Sequence, residues 1–231
     1  MMTTLLHSDL FMLALTIGSF VIATQIFRRT RFLLLHPVLL TAVAVIAFLY
    51  FTDIEYARYK SATSILDFAL GMSVVSLGYL MHEQAEHLRK STLPILLSTI
   101  AGCIVGIMSV VGIAIAFGLE RNIITSIAPK SVTVPIAIAT AEPLGGIVAV
   151  TSVVVFCTGL FGSIFGPKIL EICHISDPAA KGFALGAASH GIGTSRAIEL
   201  GATEGAMAGL AMALTGLGTA ILLPLVERFV Y

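Results

Sequence analysis

The chain has 231 residues, 57% of them hydrophobic and 11% charged, with a mean hydropathy of +1.01. So little charge excludes a soluble domain, which would not stay dispersed in water, and selects the membrane class before any motif is read. Its 13 Lys and Arg balance 13 Asp and Glu, and a net charge of zero argues against a nucleic-acid partner, which needs a basic surface.

A span needs about 20 apolar residues at about 1.5 Å each to cross a hydrocarbon core of about 30 Å. Six runs meet or nearly meet that length: 10–27, 32–51, 65–81, 94–119, 145–165 and 205–226. The residues before the first run hold no Lys or Arg, and Arg28, Arg29 and Arg31 follow it. A cleavable signal peptide has its positive charge in front of the apolar core, so this run reads as a retained helix with its N-terminus outside. His36 and Pro37 lie near the start of the second run and Asp67 near the start of the third; the other four carry no charge. Residues 53–60 (DIEYARYK) and 82–90 (HEQAEHLRK) read as mixed-charge loops. The bias of Lys and Arg puts 28–31 and 82–90 inside and 53–60 outside.

Two further stretches are apolar but interrupted. Residues 122–141 contain APKSVTVPIA, with Pro129, Lys130 and Pro135; residues 182–200 contain four glycines, His190 and Arg196. Proline removes a backbone donor and glycine loosens a helix. Broken backbone at membrane depth survives only inside protein or along a watery cavity, so both stretches are predicted to be discontinuous or re-entrant helices. The fold class expected is all-α, a polytopic bundle of six to eight spans forming a single integral membrane domain over 1–231. A faint echo between Ser73-Val74-Val75 and Ser131-Val132-Thr133, each ahead of a long glycine-bearing run, suggests an inverted repeat around a midplane site. The pairs Gly102/Gly106 and Gly182/Gly186 and the row Gly201, Gly205 and Gly209 read as close-packing faces.

The interrupted stretches hold the chemistry. Pro129 and Pro135 break the helix around Lys130, with the hydroxyls of Ser131 and Thr133 beside it. An ammonium group next to a half-helix N-terminus suits an anion. The bland alternative has Lys130 snorkelling to an interface. In the second stretch Ser189, Gly191, Gly193 and Thr194 form a flexible, hydroxyl-rich turn ahead of Arg196. His190 titrates near neutral pH when unperturbed and is the candidate for proton coupling. Its alternative is an imidazole bonded to a neighbouring helix, and Arg196 can simply pair with Glu199, three residues on.

No catalytic residues are expected. Ser189 and His190 are adjacent in sequence and no GxSxG elbow exists, so the chain does not read as an enzyme. The HEQAEH segment pairs His82 with Glu86 and Glu83 with His87 at helical spacing, but HExxH is absent and a solvated helix end explains it better. Cys103, Cys157 and Cys173 form no CxxC and read as packing residues. Neither a metal nor another cofactor is expected.

At IAPKSVTVPIAIATAEPLGG (127–146) and KGFALGAASHGIGTSRAIELGATEGAMAGLAMALTGLGTAILLP (181–224) the chain closely resembles the LrgB/CidB antiholin-like membrane family. The motifs are long and cover roughly the C-terminal half. The N-terminal half departs from the family pattern: Leu70-Gly71-Met72-Ser73 and Gly78-Tyr79-Leu80 stand where members usually carry proline-bearing segments.

The resemblance implies two functions. Bacterial members are described as modulators of murein hydrolase activity and lysis, acting with a small holin-like partner in the plasma (bacterial inner) membrane. Others, including the plant plastid glycolate/glycerate translocator, carry small carboxylates, and bacterial pairs are linked to pyruvate.

The first expectation is therefore a carrier of a 2-hydroxy or 2-oxo carboxylate, with Lys130 and Arg196 facing the anion. The second is a holin-like or antiholin-like regulator, and the third a structural subunit. A homo-oligomer, a dimer, is expected in the lipid bilayer. A scaffold has no need of prolines, Lys130 and His190 inside its apolar stretches, which argues against the third.

Overall fold

The computed structural model describes residues 8–30, 32, 35, 37–66, 68, 69, 72 and 92–230, and every regular element among them is helical. Two compact units are distinguished, Met1–Met72 and Ser73–Tyr231. Most of the third apolar run lies outside the described residues, as do Arg31, His36, the 82–90 segment, the Ser73–Val75 half of the echo and Gly78-Tyr79-Leu80.

In the first unit, α1 (Asp9–Thr30) opens under the hydroxyl of Ser8, which accepts from the Phe11 N–H, and closes on Arg28 and Arg29. Cations suit the carbonyl end of a helix. α2 (Pro37–Thr52) begins at the proline because a residue without an N–H is tolerated only in the first turn. It ends at Asp53, whose φ of 53° lets the Ile54 N–H turn back to the Leu49 carbonyl. The expected 53–60 loop is corrected here: Tyr56–Ala62 is a short helix, α3. The segment has no Gly or Pro to stop it and finds tertiary partners. Tyr59 Oη bonds Thr16 Oγ1 at 2.8 Å, Arg58 pairs with Asp9, and Ile54 and Ala62 pack with Met12.

The second unit contains α4 (Thr92–Ala116), α5 (Arg121–Ile127), α6 (Val134–Ala141) with a following 3-10 turn (Glu142–Leu144), α7 (Val148–Ile172), α8 (Pro178–Leu200) and α9 (Ala202–Val230). Gly145, at φ 89°, makes the turn into α7, and the next N–H, of Gly146, bonds the Ala141 carbonyl. At the start of α8, Asp177 accepts from the Ala180 N–H and Pro178 takes the first helical position.

α9 is the central helix, packed by α4, α6 and α8. It is rich in small residues, and Ala208, Leu210 and Ala211 are wholly buried. Gly182 and Gly186 of α8 lie directly against the backbone of Glu204 and Ala208, where a Cβ on either glycine would overlap a carbonyl. Small residues four apart permit that approach, as the sequence suggested for this pair. Arg121 at the start of α5 bonds the buried Glu227 near the end of α9 at 2.7–2.8 Å.

Among the described residues, four helices can cross a membrane by length and composition: α1, α4, α7 and α9. α2 has 16 residues, about 24 Å, which is shorter than the core. The outer faces carry large apolar side chains in the open, among them Val21 and Ile22 on α1, Leu97 and Ile113 on α4 and Val153 and Phe161 on α7. A soluble monomer does not expose contiguous apolar faces of this extent; lipid covers them.

Candidate functional site

Both interrupted stretches are broken helices in the second unit. The first break separates α5 from α6. Pro129 is buried at the end of α5, and its carbonyl accepts from the Val132 N–H. Pro135 sits in the first turn of α6, behind Thr133, whose Oγ1 is buried without a hydrogen-bond partner. Between them Lys130 Nζ donates to Ser131 Oγ at 2.8 Å. Among the described residues no carboxylate pairs with Lys130.

The second break lies inside α8. Ser189 (φ −134°, ψ 16°) and His190 (φ 43°, ψ −135°) leave helical geometry and the helix then resumes. A positive φ at histidine is strained by about 1–3 kcal/mol and persists only where the surroundings hold it. His190 Nε2 donates to the Val155 carbonyl of α7 at 2.9 Å, and Thr194 Oγ1 donates to the His190 carbonyl at 2.8 Å. α7 is cut away to receive the break: a Cβ at Gly159 would lie 2.7 Å from His190 Cε1, and one at Gly162 would collide with Ser189. Gly193 passes equally close to Ser189 and to the Leu185 carbonyl, and Gly191 is uncrowded. The two breaks meet at Val155, which packs on Val132 of the first and bonds His190 of the second.

Two cavities flank the first half of α8. The larger, about 840 Å³, lies between α4 and α8 and reaches from Asp177 and Ser98 past Gly102 and Gly106 to Lys130 and Ser131. The smaller, about 290 Å³, lies between α7 and α8 and is lined by Lys130, Thr158 and Ser189 among apolar neighbours. Lys130 belongs to both. Of the residues singled out by sequence, the structure thus brings Lys130, Ser131 and Ser189 to cavity walls. It does not bring Arg196 there: that guanidinium bonds Glu199 at 2.6 Å on the same helix, half exposed, and lines neither cavity. His190 and Thr194 are buried and shape the break.

Sequence reasoning missed the walls supplied by α4 and α7. Gly102 and Gly106 were expected to be pure packing residues. Gly102 has open space where a Cβ would stand, and both leave room for the larger cavity. On α7, the run Gly159, Gly162 and Gly166 was the available signal for seats under the second break. Among the described residues no three His, Cys, Asp or Glu side chains converge as metal ligands would.

Against known proteins, the sequence matches the LrgB-like family over residues 16–229. The uncharacterized protein YxaC of Bacillus subtilis is 34% identical over 200 residues, 87% of each chain. The holin-like protein CidB of Staphylococcus aureus is 29% identical over 222 residues, 96% of this chain and 97% of its own. CidB of Staphylococcus epidermidis is 28% identical over 220 residues, 95% and 96% of the two. No solved structure matches. With the family matched over residues 16–229, nearly the whole length, the chain belongs to the LrgB-like family.

Proposed function

We propose that this membrane protein carries a small 2-hydroxy or 2-oxo carboxylate, such as glycolate, glycerate or pyruvate, across the bacterial inner membrane, which it crosses several times. The observation that supports this most is Lys130: a half-buried ammonium group without a carboxylate partner among the described residues, at the end of a cavity between broken helices. A carboxylate entering the bilayer core needs such a charge, since an unpaired one there costs several kcal/mol. Ser131 stands ready to share the bond. Coupling to a proton or other ion is part of the proposal. With the His190 ring engaged on the Val155 carbonyl, a proton there acts on the hinge of α8 and not on the anion. Arg196 enters the reading only if it leaves Glu199.

A second reading is favoured by the relatives named holin-like protein CidB: a holin-like or antiholin-like regulator of murein hydrolase activity and lysis. The names support this more directly than they support a carrier. Assembly into a homo-oligomer, a dimer or larger, and pairing with a small holin-like membrane protein belong to it.

One reconstitution separates the two. Liposomes holding only the purified chain are expected to take up labelled small carboxylates, and Lys130→Met to abolish uptake while inserting normally. Release of trapped dye that rises steeply with protein density, with no saturable carboxylate uptake, would instead select the holin-like reading.

A further inference from the structure

Lys130 lines two cavities that do not share their other polar residues. The larger has Ser131, to which Nζ is bonded; the smaller has Thr158 of α7 and Ser189 of α8. The partition is the first half of α8, and two of its residues, Ala184 and Ala188, line both sides. At the partition neither alanine carries anything beyond a methyl group. A lysine has four flexible methylenes and three donors, so one ammonium group can serve both chambers by rotation of its stem.

We propose that the smaller cavity is a second anion station, formed by Lys130 with the hydroxyls of Ser189 and Thr158, for the carboxylate group of a small organic anion. The proposal rests on Lys130 as the anion-facing charge. About 290 Å³ corresponds to roughly ten waters at ~30 Å³ each, enough for a small carboxylate with part of its hydration. The Thr158 hydroxyl donates to the Val154 carbonyl at 2.8 Å and turns from it to bond an anion. A back-bond of this kind is a weak local competitor. Transfer between stations then follows the swing of Lys130 from Ser131 toward Ser189, past Ala184 and Ala188, the α8 residues that line both cavities.

The test is charge-selective labelling of the full-length chain in proteoliposomes. In a background lacking Cys103, Cys157 and Cys173, Thr158→Cys is treated with anionic sulfonatoethyl or cationic trimethylammonioethyl methanethiosulfonate. One nearby positive charge is expected to favour the anionic reagent about tenfold, and Lys130→Met to erase that preference. No reaction at this position while Ser98→Cys in the larger cavity reacts, equal rates with both reagents, or a preference that survives Lys130→Met would each overturn the second station. If Thr158→Cys fails to elute as a folded species, Ser189→Cys, which also lines the smaller cavity, is read by the same criteria. Uptake by the unmodified chain is measured alongside. Preference without uptake keeps the station and removes the carrier; uptake without preference removes the station alone.

Discussion

At the scale of single residues, His190 shows how a strained backbone is held. Its ring fits because Gly159 has no side chain, and its bond to the Val155 carbonyl fixes the non-helical pair at positions 189 and 190. Removing the ring leaves a buried carbonyl short of one partner, and placing a methyl at position 159 forces the ring away. Each change alone is expected to cost about 1–3 kcal/mol. The two are not independent. In a His190→Ala background the ring no longer crowds position 159 and the contact that remains is the flexible end of Ile192 at 2.9 Å, so Gly159→Ala costs less there than in the parent. Thermal unfolding of the four variants in one detergent measures the cycle, with an expected coupling of about 0.5–3 kcal/mol. Additive losses would mean that His190 and Gly159 do not meet in the way described.

At the scale of elements, the pair α8–α9 depends on the glycines at 182 and 186. Gly186→Leu must separate two backbones in contact, because a Cβ there already overlaps the Ala208 carbonyl. It is expected to lower the unfolding temperature in detergent sharply, while Gly112→Leu, at an exposed position of α4 where a Cβ meets nothing within 4 Å, is expected to be mild. Equal losses at the two positions would contradict the packing. This contrast also marks what sequence could supply. The apolar runs of α1, α4, α7 and α9 and both breaks were legible because bilayer length, proline and glycine act locally. Glycine spacing alone did not separate Gly186, which packs backbone on backbone, from Gly102 beside a cavity, since that depends on which helix faces it. The same limit explains Arg196. Its partner Glu199 was visible at helical spacing, as was the alternative of an anion, and only the fold places the pair away from both cavities. α3 was read as a loop because its charges outweighed contacts with α1 that no local pattern reveals.

At the scale of the whole molecule, exposure has two meanings. Ile115 is 49% exposed and Val153 61%, on outer faces of α4 and α7, whereas Ser131 is half-buried along a cavity. In water the two apolar positions are the more accessible. In a bilayer the order reverses, because lipid excludes ionic reagents and a polar cavity admits them. Cysteines at Ser98 and Ser131 are expected to react with a small charged thiol reagent in proteoliposomes, and those at Ile115 and Val153 to stay unmodified until detergent strips the lipid. A small carboxylate that binds at Lys130 should slow Ser131→Cys and leave Ser98→Cys, further along the cavity, much less affected. Fast labelling at Ile115 and Val153 in intact vesicles would mean that these faces meet water or a polar partner. Unchanged labelling at Ser131 under saturating carboxylate would place the anion elsewhere than Lys130. A panel of short carboxylates can be ranked by the protection each gives at position 131, so the substrate need not be identified before the measurement is made.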